Sequence, residues 1–268
     1  MKNRADRPIG IFDSGLGGLT VFQAVSRRMP EENLIYFGDT AHVPYGSKSR
    51  ETVTRYSLDV ARFLAGKRIK ALVVACNTSS ALALNAVAQS LAVPVLGVIQ
   101  PGADAAAAAT SNGHVGIIGT EATIASGAYT AALRARLPGV RVKATACPLF
   151  VPLVEEGWWG RQATTLVARY YLGGLKRSGI DTLVLGCTHY PLLKGVVRRI
   201  MGPRVRLIDS AEQTALETER LLLDLGLRRQ GGRGQRRFFV SDAPKRFLKL
   251  ARRLLGVRVG NVELHAFD

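Results

Sequence analysis

Two short stretches put a thiol where a loop takes over from a buried run. In LVLGCTHYPLL, residues 183–193, the apolar run ends on Gly186, and Cys187, Thr188 and His189 follow. In LVVACNTSSAL, residues 72–82, the run ends on Ala75, and Cys76, Asn77 and Thr78 follow. A thiol has an ordinary pKa of about 8.5, so both of its protonation states are accessible near working pH. At the start of a helix it also meets backbone N–H groups that stabilise a thiolate or bind a carboxylate. Two such thiols on opposite walls of a cleft suit one task. A thiolate removes a proton from carbon, and the other thiol delivers a proton to the opposite face, which gives the mirror image.

Other readings stand beside this one. Buried cysteines are common in cores. A structural zinc needs four ligands at close spacing, and the chain has no CxxC and four histidines. No metal is expected. A Cys76–Cys187 disulfide is geometrically conceivable but unexpected in a cytoplasmic protein. The repeated placement favours function over core filling. Cys147, in TACPLF, lacks polar company and reads as a small buried apolar residue.

Asp13 and Ser14 open the glycine-rich DSGLGG. This stretch lacks both the GxGxxG spacing and the Lys-Ser/Thr of a phosphate loop, and an aspartate at its mouth repels phosphate. Asp13 would orient a cation or steer a proton, or else cap a turn. His189 can tune the neighbouring thiol or serve as a satisfied histidine. Of the pair Glu155 and Glu156, one could reach a cleft as a proton-tuning carboxylate, although solvated glutamates are commoner.

The elements that position these groups follow from periodicity. Strands are expected at 8–12, 34–38, 71–75, 93–98, 114–118, 140–146, 182–185, 205–208 and 238–241. Helices are expected at 49–64, 79–90, 160–178 and 210–225, among others. This alternation predicts an α/β fold with mostly parallel sheets flanked by helices. IGIFDSGLGG resembles VGIIGTEATIASG, and VPVLGVIQPGADAA resembles VRLIDSAEQTAL, so the cysteine units belong to a larger repeat. Two pseudo-symmetric domains are expected, 1–98 with 208–268 and 99–207, facing each other across a cleft. Loops at the carboxyl ends of the strands should line it. Asp13-Ser14, Asp39-Thr40, Cys76-Asn77-Thr78, Thr120 and Cys187-Thr188-His189 all fall there.

The 268 residues are 47% hydrophobic with a mean hydropathy of +0.10, ample for a packed core. No run approaches the ~20 apolar residues of a membrane span. The amino-terminal stretch does not read as a signal peptide. Three cysteines, an odd number, argue against a disulfide framework. A cytoplasmic protein without a membrane partner is expected. The net charge of +17 favours contact with anions or nucleic acid, and Arg228 to Arg237 is the densest cluster. A basic amphipathic helix is expected from Pro244 to a stop at Gly256, with Phe247, Leu250, Ala251 and Leu254 inward. A solvated face is its simplest reading.

IGIFDSGLGGLTV, YFGDTAHVPYG, VVACNTSSA, GTEATIASGAY, CPLFVPLVEEG and LGCTHYPLL, in that order, span most of the chain, and FFVSDAPKRF continues the pattern. The set resembles the glutamate racemases of the cofactor-independent aspartate/glutamate racemase superfamily. The resemblance implies glutamate in the interdomain cleft, no cofactor and supply of D-glutamate for peptidoglycan. It implies Cys76 as the base for D-glutamate and Cys187 as the base for L-glutamate, with Asp13, His189 and Glu155 in support. It also implies Ser14, Tyr45, Gly46, Asn77, Thr78, Thr120, Thr123 and Thr188 as substrate contacts, with Asp13 and His189 beside them. Related racemases are often dimers, so a homodimer is expected. The rivals are a racemase of aspartate or another amino acid, and a basic nucleic-acid-binding protein with a vestigial cleft. A pyridoxal-dependent racemase fits poorly, since no lysine sits at the strand ends of these clusters.

Overall fold

In the computed structural model, which describes residues 4–255 and 259–267, the apolar runs become strands. They are β1 Ile9–Asp13, β2 Leu34–Gly38, β3 Ala71–Val74, β4 Val95–Gly97, β5 His114–Gly119, β6 Arg141–Ala146, β7 Thr182–Gly186, β8 Arg206–Ile208, β9 Arg236–Val240 and β10 Val262–Leu264. The helices between them are α1 Leu19–Arg28, α2 Arg50–Gly66, α3 Asn77–Leu82, α4 Leu84–Ser90, α5 Ile99–Ala109, α6 Glu121–Ala125, α7 Ala128–Arg136, α8 Phe150–Glu155, α9 Gln162–Lys176, α10 Lys194–Met201, α11 Ala211–Asp224 and α12 Pro244–Leu255.

Two sheets form, one in the order β10-β9-β2-β1-β3-β4 and one in the order β6-β5-β7-β8. Every strand pairing among the described residues is parallel. Parallel strands need crossovers, and the crossover helices cover both faces of a sheet. That is why β1, β2, β3 and β7 are buried along their whole length and read as unbroken apolar runs. The sequence repeat has a structural counterpart. β2-β1-β3-β4 and β6-β5-β7-β8 run in the same order, so Cys76 after β3 corresponds to Cys187 after β7.

Each sheet has a core on both faces. One face of the larger sheet packs Phe22, Val25, Tyr36 and Phe247, and the other packs Val53, Val60, Leu64 and Val87. The smaller sheet packs Phe150, Leu172, Leu183 and Val197 on one face, and Ala103, Val115, Leu133 and Val184 on the other. At the base of the larger sheet Lys70 is buried and donates to Glu32 at 2.5 Å, to the Ala5 carbonyl and to the Leu227 carbonyl.

The structure departs from expectation in two places. The helix expected at 79–90 is two helices, α3 and α4, broken at Ala83, whose N–H returns to the Ser79 carbonyl. Ser79 accepts from Ser57 on α2 and Ser80 donates to the Val74 carbonyl, which anchors the first helix separately. β10 is three residues long, too short to show a period. α12 forms as expected, with Phe247 and Ala251 buried, but Gly256 lies outside the described residues.

Candidate active site

The strand ends bring both thiols to one cavity. Cys76 and Cys187 line it with Ser14, Val43, Pro44, Tyr45, Gly46, Asn77, Thr78, Thr120, Val151, Thr188 and His189. Cys76 is the residue before α3, with its sulfur 3.5 Å from Ser14 Oγ. Burial, reinforced by the Asp13 charge, pushes its thiol up to about 11. The Cys187 sulfur lies 3.9 Å from His189 Nδ1, and His189 Nε2 lies 3.1 Å from Glu155 Oε1. Burial alone would depress the imidazole. Cys187 and Glu155 outweigh it and hold His189 up at about 10, so the ring carries its proton at neutral pH. Burial likewise pushes Glu155 up, but His189 more than reverses this and the carboxyl ends below its usual range.

The surroundings of the two thiols therefore differ. Cys76 faces a hydroxyl and a buried carboxylate, whereas Cys187 faces a protonated imidazole backed by a second carboxylate. Asp13 does not line the cavity. It sits behind the wall, fully buried, and accepts from the Gly15 N–H at 3.1 Å and from Thr188 Oγ1 at 3.2 Å. Burial raises its carboxyl above the ordinary value. Thr123 also stands one layer back, bonded to Thr78 at 3.1 Å and to Thr120 at 2.9 Å.

Several of these bonds join the two sheets' loops. Thr78 bonds Thr120 at 3.0 Å, Thr188 reaches Asp13, and the Tyr129 hydroxyl donates to Asn77 Oδ1 at 2.7 Å. The backbones approach closely. A Cβ on Gly17 would lie 2.3 Å from Thr188 Oγ1 and 2.8 Å from the Thr188 carbonyl carbon, and one on Gly46 would lie 2.4 Å from Thr120 Cβ. Only glycine lets the walls meet at these points. The enclosed space is about 20 Å³, room for about one water molecule. An amino acid enters only if the walls part, and its polar groups then replace bonds that Thr78, Thr120 and Thr123 make to one another.

Sequence reasoning placed Asp39 at a cleft loop without giving it a role, and it passed over Tyr129, Val43 and Val151. Asp39 is buried at the end of β2 and accepts from the Tyr45 hydroxyl at 2.5 Å and Ser241 Oγ at 2.6 Å, with His42 Nδ1 at 2.9 Å. It thereby fixes the loop that carries Pro44, Tyr45 and Gly46. Its position at a strand end was the available signal. Tyr129 supports Asn77, and Val43 and Val151 form apolar wall; no local pattern marks these three.

The basic cluster is placed differently from expectation. Arg228 pairs with Glu31 at 3.0 Å, Arg229 with Asp6 at 3.2 Å and Arg237 with Glu263 at 2.8 Å. Arg236 donates to Ser26 Oγ and to the Pro30 carbonyl. These side chains tie the carboxyl-terminal loop to the larger sheet and are not a free basic surface.

Comparison with known proteins bears on what this geometry serves. The Asp/Glu/Hydantoin racemase family model matches residues 19–218. The glutamate racemase of Geobacter metallireducens is 55% identical over 257 residues, covering 96% of this chain and 95% of its own. The structure of glutamate racemase from Thermus thermophilus, in complex with beta-chloro-D-alanine, aligns with a TM-score of 0.88 at 47% identity over 98% of both chains. That from Francisella tularensis, in complex with D-glutamate, aligns at 0.92 and 37% identity, again over 98% of both chains. With a doubled parallel sheet, two thiols on one cavity and this likeness along nearly its full length, the chain belongs to the Asp/Glu racemase family, among the glutamate racemases.

Proposed function

We propose that the protein interconverts L-glutamate and D-glutamate by proton transfer at Cα between Cys76 and Cys187, supplying D-glutamate for peptidoglycan synthesis. One observation carries the reading: the two thiols enter one cavity from equivalent strand ends of a repeated sheet. In one direction the Cys187 thiolate takes the Cα proton of L-glutamate and becomes a thiol. The Cys76 thiol gives its proton to the opposite face of the carbanion and becomes a thiolate. D-glutamate leaves; exchange of protons with solvent returns Cys187 to thiolate and Cys76 to thiol, or D-glutamate re-enters and the same steps run in reverse. On this reading Asp13 steadies Cys76 and Thr188 from behind the wall. His189, with Glu155 behind it, serves Cys187. Ser14, Tyr45, Gly46, Asn77, Thr78, Thr120, Thr123 and Thr188 hold the carboxylates and ammonium. Family likeness supports glutamate over aspartate. The chemistry needs no cofactor beyond these side chains.

The test is the optical activity of L-glutamate incubated with the purified protein. Decay to a racemic solution is expected, while L-aspartate stays unchanged. Decay with aspartate alone would replace the substrate. Cys76→Ala and Cys187→Ala should each abolish racemisation in a folded protein, and full activity in either would end the two-thiol scheme.

The domain division 1–98 with 208–268 and 99–207 belongs to the same reading, supported by which strands share a sheet. So does a homodimer, for which exposed Leu149 and Trp158 beside an apolar groove of about 210 Å³ offer a contact face. Sedimentation equilibrium checks it. A cytoplasmic location is supported by three free thiols. Among the described residues no helix is long and apolar enough to cross a membrane.

A further inference from the structure

With Arg228, Arg229, Arg236 and Arg237 each paired or hydrogen-bonded within the fold, much of the net charge of +17 is displayed elsewhere. Residues 141–206 contain eleven Lys or Arg and three Asp or Glu. All three acids are engaged: Glu155 with His189, Glu156 with Arg246, and Asp181 with Thr110 and the amides of Ser111 and Asn112. α9 and α10 contain no acid at all. The two helices pack against each other, and Arg169, Lys176 and Arg199 rim a groove of about 380 Å³ between them. No ion pair to any of these three is present among the described residues.

Two further features lie on α9, one beside the groove, three positions before Gly173, and one in it. Tyr170, next to Arg169, is 85% exposed. Gly173 lies in the groove within a regular helix, where glycine weakens the helix relative to alanine. A Cβ there would meet only Arg177 Nη1, at 3.6 Å, so packing does not demand glycine. Its missing side chain keeps a trough open between the turn of Arg169 and Tyr170 and the turn of Lys176. The helices run back from the cleft edge of the smaller sheet, so Lys176 and Arg199 lie away from the cavity of Cys76 and Cys187.

Cations lining a groove, with an exposed aromatic beside them, are what a nucleic-acid single strand requires: the phosphates meet the charges and an unstacked base meets the ring. A duplex keeps its bases stacked and would leave Tyr170 unused. We propose that the α9–α10 groove binds single-stranded nucleic acid, with phosphates on Arg169, Lys176 and Arg199 and a base on Tyr170.

The test is fluorescence anisotropy of a labelled oligothymidylate of about 20 nucleotides titrated with the full-length protein. Three phosphate contacts predict about a twentyfold loss of affinity between about 50 and about 200 mM salt. The triple variant Arg169→Glu, Lys176→Glu, Arg199→Glu should bind at least about tenfold more weakly while racemising glutamate as the parent does. Tyr170→Ala should weaken binding about fivefold or more, and Tyr170→Phe should restore it. The control reverses Lys249 and Arg252 on α12, which should change affinity little. The proposal is overturned if the parent does not bind at low salt, if the control weakens binding as much as the groove variant, or if a duplex competes as well as the single strand. It is also overturned if the parent self-associates through this face and the triple variant is monomeric without any change in oligonucleotide affinity.

Discussion

Each thiol has a neighbour that sets its chemistry, and the two neighbours are unlike. Burial and then Asp13 push Cys76 up to about 11, so Asp13→Asn should bring its titration down. The check is thiolate absorbance of Asp13→Asn against an Asp13→Asn, Cys76→Ala double variant; an unchanged midpoint would remove Asp13 as a tuner. His189 responds in the opposite sense to its partner. Glu155→Gln removes one of the groups that hold the ring at about 10, so the ring should titrate lower, which nuclear magnetic resonance can follow. The sign for stability follows. The folded value lies above the ordinary ~6.5, so the stabilisation is full below about pH 6.5 and is lost as pH rises through the folded value. The melting temperature of Glu155→Gln should fall most between about pH 4.5 and about pH 6.5, and converge on the parent's above about pH 10 and again in acid, where Glu155 takes up its proton.

Elements were legible wherever their burial was uniform. β1, β3 and β7 are buried on both faces, so their sequences are unbroken apolar runs and the polar residue after each run marks the rim. The partnerships behind the rim were not legible, because they link distant segments. Tyr129 bonds Asn77 across 52 positions and Ser241 bonds Asp39 across 202. The arginines from 228 to 237 looked free in sequence for the same reason, since Arg228 meets Glu31 across 197 positions. Two predictions belong at this scale. Gly17→Ala places a methyl against Thr188, and a shift of about 1 Å there should cut kcat/KM about a hundredfold, with a lower melting temperature that reports about 1–3 kcal/mol of overpacking. Glu32→Ala strands the buried Lys70 ammonium at the base of the larger sheet, and urea unfolding should show a loss of about 3–5 kcal/mol.

For the molecule as a whole, the repeat was legible because both copies keep their strand-end residues, whereas how tightly the copies close was not, since closure depends on contacts between them. Besides the buried bonds, Arg246 on α12 reaches Glu156 beyond α8 at 3.5 Å, both of them exposed. Such a pair contributes about 0–1 kcal/mol. Arg246→Glu should therefore raise KM for glutamate by up to about fivefold and leave the thermal melt in place, a split that steady-state kinetics with calorimetry can read.

The unequal surroundings of the two thiols meet a limit that no residue can change. Mirror-image solutes have the same free energy in water, so the equilibrium lies at equal concentrations. The specificity constant measures the climb from free enzyme and free substrate to the highest barrier. Both enantiomers share that barrier and start level with each other, so their specificity constants must match even though the walls do not. The imidazolium beside Cys187 and the carboxylate beside Cys76 can act on the two directions differently only through the bound states. Whichever enantiomer they hold more tightly must turn over more slowly in the same proportion.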